Sequence, residues 1–207
     1  MLRSWVAVAI VAVACWAGRA VAGEYNETLS IGDAAPAWKD LPGVDGKKHS
    51  LADVKAPIVV VVFTCNSCPI ATDYEDRIIS LAKKYGGPSG KAAFVAINVN
   101  LIPDDSLPKM KARAEEKNFP FPYLFDETQD IAKAYGAAFT PEFFVLDQDR
   151  RVTYMGGMDD NSDVDRVKVR YLEPAIEATL AGEQPEVAET VARGCRIRWA
   201  TRRRRKK

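Results

Sequence analysis

The sequence predicts an α/β protein, a mixed central sheet with helices on both faces. Three observations carry this reading. Ile58–Thr64 is a continuous β-branched run without polar alternation, the pattern of a strand buried on both faces. From Pro69 the period changes: Ile70, Tyr74, Ile78, Leu81, Ala82 and Tyr85 fall near one helical face. Late in the chain, Phe143–Asp147 and Arg151–Gly156 are apolar runs joined by three polar residues, which reads as an antiparallel hairpin.

The remaining elements follow in order. Glu24–Pro42 is turn-rich, and Asp45-Gly46 is a hairpin signal between short segments able to pair as strands. The first long helix ends at Gly86-Gly87, where glycine is the usual helix stop. Ala92–Asn98 is a second buried strand, and a polar loop with Pro103 leads to a helix over about Pro108–Lys117. "FPFPYLFD" is extended, and a short helix around Thr128–Tyr135 closes at Gly136. A last helix is expected over about Val164–Ala181, stopping at Gly182. Strand–helix alternation, then an antiparallel pair and a terminal helix, gives a mixed sheet covered on both sides. In such sheets reactive groups gather at the carboxyl ends of the parallel strands, where Thr64 and Cys65 stand.

The chain of 207 residues has room for one domain with appendages, and 47% hydrophobic against 28% charged residues is ordinary for a globular protein. Collagen, a long coiled coil and wholesale disorder are excluded. Residues 1–22 read as an export leader: Arg3 is the basic start, Trp5–Trp16 the apolar stretch and Ala20–Ala22 a small-x-small cleavage site. The apolar stretch is too short to span a bilayer comfortably, and lipid anchoring at Cys15 is disfavoured by a poor match in Ala12-Val13-Ala14. The expected location is therefore periplasmic or secreted, where disulfides form and persist.

Arg3 and Arg19 fall in the leader and Arg202–Lys207 add six basic residues, so the body holds 21 basic against 28 acidic residues. An acidic body with a solvated basic tail is not expected to bind nucleic acid, and membrane contact would be confined to that tail or an uncut leader. The expected division is leader 1–22, a domain over 23–182 and an extension over 183–207.

After the leader, Cys65, Cys68 and Cys195 remain, an odd number that suggests at least one functional or unpaired thiol. Zinc would require further ligands near the C-x-x-C, yet the sole histidine is His49. Residue 69 is proline, so C-x-x-C-H haem attachment is excluded, and copper lacks a downstream histidine. A structural short-loop disulfide remains an alternative to a redox dithiol placed between a buried strand and a helix. The redox reading has a physical basis. A thiolate is the attacking species, and a helix start supplies unpaired amides and partial positive charge. Pro69 suits the first helical position, which makes Cys68 the N-cap. Cys65 would lie one loop earlier and more open to a partner. Asp73, Glu75 and Asp76 oppose thiolate formation unless Arg77 offsets them.

The stretches "FTCNSCP", "YGAAFTPEFFVLD" and "YMGGMDD" closely resemble an exported thioredoxin-like group within the peroxiredoxin/AhpC-TSA superfamily. "GDAAPAWKDLPGVDGKKHSLADV" resembles that superfamily's N-terminal hairpin, and "GCRIRW" the end of many members. The resemblance covers about Ile31–Gly182. It implies a thioredoxin fold with a peroxiredoxin-type N-terminal β-hairpin, and a cis Pro141 facing the dithiol. It also implies thiol–disulfide exchange by Cys65 and Cys68, with Thr64, Thr140 and Pro141 beside the substrate. No metal or organic cofactor is implied. The partners would be a protein or small-molecule disulfide and a separate reductant.

The sequence departs from both parents. Thr64 stands where thioredoxins carry Trp, and Asn66-Ser67 replace their Gly-Pro. Aligned with the peroxiredoxin motif, Cys68 takes the peroxidatic position, but Thr64 is one residue too far upstream and the preceding Pro is missing. Peroxide reduction with Cys68 forming the sulfenic acid is therefore the first alternative, and a binding module with a structural disulfide the second. Helix-end electrostatics make Cys68 the more acidic thiol, whereas exposure and thioredoxin precedent make Cys65 the expected attacker of protein disulfides. Cys195 is a candidate resolving thiol or a structural residue.

Overall fold

The protein, here a computed structural model, is described over residues 23–87 and 90–200; the expected leader with Cys15 and the basic Arg202–Lys207 lie outside them. A short hairpin, β1 (Leu41–Pro42) and β2 (Lys48–His49), turns at Asp45-Gly46 as the sequence predicts. The chain then enters the centre of the molecule as β3 (Ile58–Phe63), every residue of it buried.

The central sheet has five strands. Parallel to β3 runs β4 (Ala92–Asn98), and parallel to β4 runs the edge strand β5 (Tyr123–Phe125). On the other side of β3 lies β7 (Glu142–Leu146), antiparallel, followed by antiparallel β8 (Val152–Gly156). The order is β5-β4-β3-β7-β8. Alternate residues of β3 divide two cores. Val60 and Val62 face Tyr74 and Ile78 of α1 (Pro69–Tyr85) and Ile176 of α4 (Leu172–Ala181). Val59, Val61 and Phe63 face Trp38 and Tyr135, the latter on α3 (Asp130–Tyr135). Burying each such valine contributes about 1.5–3 kcal/mol, which is why β3 tolerates no polar face. Helix α2 (Leu107–Lys117) packs by Met110 beside Tyr123. The expected α/β class, with its mixed sheet between helices, is the observed one: a thioredoxin fold with an added N-terminal hairpin.

Two elements differ from expectation. The last helix starts at Leu172 instead of about Val164. Pro174 explains this: it sits in the first turn of α4, where its missing N–H costs nothing, whereas a helix begun at Val164 would bury it mid-helix. Val164–Arg166 is only a 3-10 turn capped by Asp163. The second difference is a pair of two-residue strands. β6 (Phe139–Thr140) and β9 (Cys195–Arg196) pair antiparallel, tying the segment beyond residue 182 onto the body.

That segment is held along its length. Met155 on edge strand β8 exchanges main-chain hydrogen bonds with Ala188 and Thr190. The Glu189 carboxylate accepts the amides of Glu24, Tyr25 and Asn26 at 2.7–3.0 Å, so the two ends of the described chain are clasped together.

Candidate active site

The end of β3 and the start of α1 place the C-x-x-C as the sequence predicts. Thr64 leaves the sheet with its amide on the Ile97 carbonyl at 3.0 Å. Cys68 is the N-cap of α1: its Sγ accepts the Ala71 amide at 3.3 Å, and Pro69 follows in the first turn. This arrangement supplies a cysteine sulfur with a donor and the helix's partial positive charge.

Glu75 and Asp76 of α1 are paired, but not by the expected partner. Arg77 turns away to Asp159 and to the carbonyls of Asn161 and Ser162. Glu75 instead takes a bidentate pair from Arg113 of α2, at 3.0 and 2.6 Å, and Asp76 pairs with Lys117 at 2.8 Å. Helix α2 therefore supplies positive charge that offsets Glu75 and Asp76, about two turns beyond Cys68.

The loop between the cysteines is anchored by a residue that sequence reasoning missed. Asp105, fully buried, accepts the Ser67 amide at 3.0 Å and the Ser67 hydroxyl at 2.6 Å. Asn98 donates to the Asp105 carbonyl at 3.0 Å, and Asn66 to the Asp104 carbonyl at 3.1 Å. Asp105 lies 38 residues beyond Ser67 in a loop with no hydrophobic period. The one sequence signal is the acidic pair Asp104-Asp105 in the loop after the buried strand that ends at Asn98.

Facing the cysteines, the Thr140-Pro141 peptide is cis, as the resemblance implies. The Thr140 carbonyl lies 3.1 Å from Cys68 Sγ, and its hydroxyl 3.4 Å from Cys65 Sγ. Glu142 locks this turn: its buried carboxylate accepts the amides of Ala138 and Phe139 at 2.8 and 3.0 Å, and burial holds its pKa above the usual range. Thr64 and Cys65 line a cavity of about 10 Å3 with Glu75, Phe119, Phe121 and Tyr123, room for one water.

The sulfur pairing differs from the expected Cys65–Cys68 couple. The structure joins Cys68 to Cys195, 127 residues away, with a Cα–Cα separation of 5.9 Å. Cys65 is a free thiol. Nor is Cys65 open as expected: it is 2% exposed, as buried as Cys68 at 1%. It lies under Thr140 because β6 folds back over the end of β3. Burial, seconded by the negative charge of Asp105, pushes its pKa up against the opposing hydrogen bonds of Thr140 and Ser67. Cys195 arrives on β9, directly opposite Thr140 in the β6–β9 register. Thr64, Cys65, Cys68, Thr140, Pro141 and Cys195 are thus brought together, whereas Trp199 is half exposed beside Lys133 and stands outside the group. Among the described residues no group of three or more His, Cys, Asp or Glu side chains is arranged to hold a metal ion, and no helix is long and apolar enough to cross a membrane.

Residues 31–155 match the AhpC/TSA family. The chain belongs to that family. Among relatives of this family member, a Mycobacterium tuberculosis protein named as a peroxiredoxin is 30% identical over 114 residues, 53% of this chain and 65% of its own length. The match therefore spans just under two thirds of that relative. The thiol-disulfide oxidoreductase ResA of Geobacillus thermodenitrificans is 25% identical over 129 residues, 60% of this chain and 67% of its own length. A crystal structure of an uncharacterized conserved protein from Geobacillus kaustophilus superposes with a TM-score of 0.78 at 37% identity, covering 86% of this chain and 96% of that one. The names of the first two agree with the expected enzyme class, an oxidoreductase.

Proposed function

We propose that this AhpC/TSA family member is an exported thiol–disulfide oxidoreductase in which Cys68 is the exchanging sulfur. The observation that carries the reading is the placement of Cys68: N-cap of α1, bonded to Cys195, and facing the Thr140 carbonyl beside a cis proline. A helix-capping thiolate attacks a substrate disulfide, forming a mixed disulfide and releasing one substrate thiolate. A second cysteine then attacks Cys68 and frees the other substrate thiolate, so two electrons pass to the substrate. Cys195, bonded to Cys68, is the resolving thiol in this reading, in place of the Cys65–Cys68 couple expected from sequence. The helix-capping position favours Cys68 as the attacker over Cys65, whose pKa burial raises, which reverses the expected preference for Cys65. The substrate is a protein or small-molecule disulfide, and a separate dithiol reductant restores the thiols. Export rests on the leader sequence at 1–22.

The test is exchange of the reduced full chain with a fluorogenic disulfide, with mass-spectrometric mapping of the trapped intermediate. Cys68→Ser is expected to abolish the mixed disulfide, and Cys65→Ser to leave its formation intact. A mixed disulfide trapped only on Cys65 would reject the assignment.

One observation also favours peroxide reduction. A Cys68–Cys195 bond is the product expected when a Cys68 sulfenic acid condenses with the Cys195 thiol and releases water. Stopped-flow mixing with hydrogen peroxide separates the two: rapid, Cys68-dependent consumption establishes a peroxidase.

A further inference from the structure

Residues 194–200 are recognised mainly through their backbone. Cys195 and Arg196 pair with Thr140 and Phe139, the Ile197 amide donates to the Ala138 carbonyl at 2.9 Å, and the Thr140 hydroxyl donates to the Cys195 carbonyl at 3.4 Å. Two buried amide side chains continue the ladder. Asn100 accepts the Arg198 amide at 3.0 Å; Gln129 donates to the Arg198 carbonyl at 2.9 Å and accepts the Ala200 amide at 2.8 Å. Besides Arg196, whose guanidinium lies over the Phe139 ring, three positions of the strand are constrained by side chain. A Cβ at Gly194 would collide with the Thr140 carbonyl, Cys195 meets Cys68, and Ile197 is buried in the core. Main-chain pairing for affinity with a few side-chain pockets for choice is the physics of strand addition.

We propose, building on the exchange reading above and on the substrate position at Thr140 that the resemblance implies, that residues 194–198 are a tethered occupant of the Thr140 edge that competes with an incoming substrate strand. The substrate class is then a protein disulfide presented on an extended segment, with a small residue before the cysteine and an apolar residue two after it. In the reduced protein the tail strand leaves the edge and the substrate strand pairs with Phe139 and Thr140. The Cys68 thiolate attacks the substrate sulfur, the substrate disulfide breaks, and the departing half leaves as a thiolate that takes a proton from water. The returning tail carries the Cys195 thiolate to Cys68: the Cys68–Cys195 bond forms, the mixed disulfide breaks, and the substrate thiolate leaves as its strand is displaced. The substrate gains two electrons, both cysteines are oxidised, and an external dithiol reductant resets them.

The test uses the reduced full chain and two probes of matched sulfur chemistry. One is the peptide of residues 192–198 carrying its cysteine as a mixed disulfide with 2-mercaptoethanol, and the other is bis(2-hydroxyethyl) disulfide. Gly194→Val evicts the tail strand without altering Cys65, Cys68 or Thr140, and Gln129→Leu loosens the same strand from its far end should the valine variant fail to fold. Quenched-flow mass spectrometry follows formation of the Cys68 adduct. Either variant is expected to form the peptide adduct on the order of tenfold faster than the parent, since a tethered competitor has been removed, with the small disulfide changed less than twofold. Equal acceleration of both probes would mean that the tail merely shields the sulfur, and no acceleration of either that it does not compete; each overturns the proposal. Cys68–Cys195 bonds between two copies, formed in preference to the peptide adduct, would assign the edge to a second copy's tail and overturn it too. No Cys68 adduct with either probe in any protein would instead reject the exchange reading on which the proposal rests.

Discussion

The hydroxyl of Ser67 donates to the buried carboxylate of Asp105 at 2.6 Å, while the Ser67 amide donates to the other carboxylate oxygen at 3.0 Å. Ser67 Oγ in turn lies 3.7 Å from Cys65 Sγ, so the carboxylate and the free thiol share one hydroxyl. Among the described residues no Lys or Arg forms an ion pair with Asp105. Its charge is balanced by the loop that it holds.

Replacing Asp105 separates charge from anchoring. Asp105→Asn keeps an acceptor for Ser67 and removes the negative charge that raises the Cys65 pKa. Alkylation of Cys65 in the reduced variant is expected to shift to lower pH, read by mass spectrometry across a pH series. Asp105→Ala leaves the Ser67 donors unpaired and is expected to cost about 1–3 kcal/mol in urea unfolding. An unshifted alkylation profile in Asp105→Asn would exclude the electrostatic coupling.

Glu142 gives a pH dependence of known sign. Burial raises its folded pKa above the reference of 4.5, so the folded state binds the proton more tightly than the unfolded chain. Its contribution is fully present below pH 4.5 and is lost as pH rises through the folded value. Glu142→Gln keeps an oxygen able to accept the Ala138 and Phe139 amides and carries no charge. The variant is expected to be more stable than the parent at pH 7, with the gap closing below about pH 4.5. Thermal melts at the two pH values check it, and a variant destabilised equally at both would contradict the assignment.

Legibility in the sequence followed the range of the forces. The Ile58–Phe63 strand, the Cys68 N-cap and the helix from Pro69 are local: a β-branched run, a proline at the first position and a period of 3.6 state them directly. The α4 start lies later than expected because Pro174 fits the first turn of a helix and not its interior. The resemblance, not the composition, carried the cis Pro141. What could not be read were pairings closed across loops. Asp105 meets Ser67, Arg113 meets Glu75 and Cys195 meets Cys68 only after the sheet is assembled. Two-residue strands such as Phe139–Thr140 and Cys195–Arg196 are too short to leave any period.

The Arg113–Glu75 pair is expected to matter more than the exposed pairs around it. Glu75 is 7% exposed at its side chain and accepts two guanidinium bonds, at 3.0 and 2.6 Å. Removing the cation leaves a carboxylate largely without solvent, aided only by Lys117 at 3.9 Å. Arg113→Ala is expected to cost about 3 kcal/mol, the lower end for a buried pair broken on one side. The solvent-exposed Lys111–Glu115 pair, at 3.9 Å, is expected to contribute under about 1 kcal/mol. Urea unfolding of Arg113→Ala and Lys111→Ala, side by side, tests the ordering; equal losses would refute it.

The Cys68–Cys195 bond closes a loop of 127 residues, so its effect on the unfolded chain should be large. In the chain-entropy account a loop of that length stabilises by about 4–5 kcal/mol relative to the dithiol. The oxidised protein is therefore expected to unfold at markedly higher urea than the reduced one. Cys195→Ser should lose most of that difference, while Cys65→Ser should keep it, because Cys65 is free in the oxidised structure. The same comparison reports on the sulfur pairing itself. If the stabilisation persisted in Cys195→Ser and vanished in Cys65→Ser, the oxidised protein would be closed by the Cys65–Cys68 bond. That bond constrains a loop too short to stabilise the fold to the same extent. Urea midpoints of the parent and both variants, with and without dithiothreitol, decide between the two pairings.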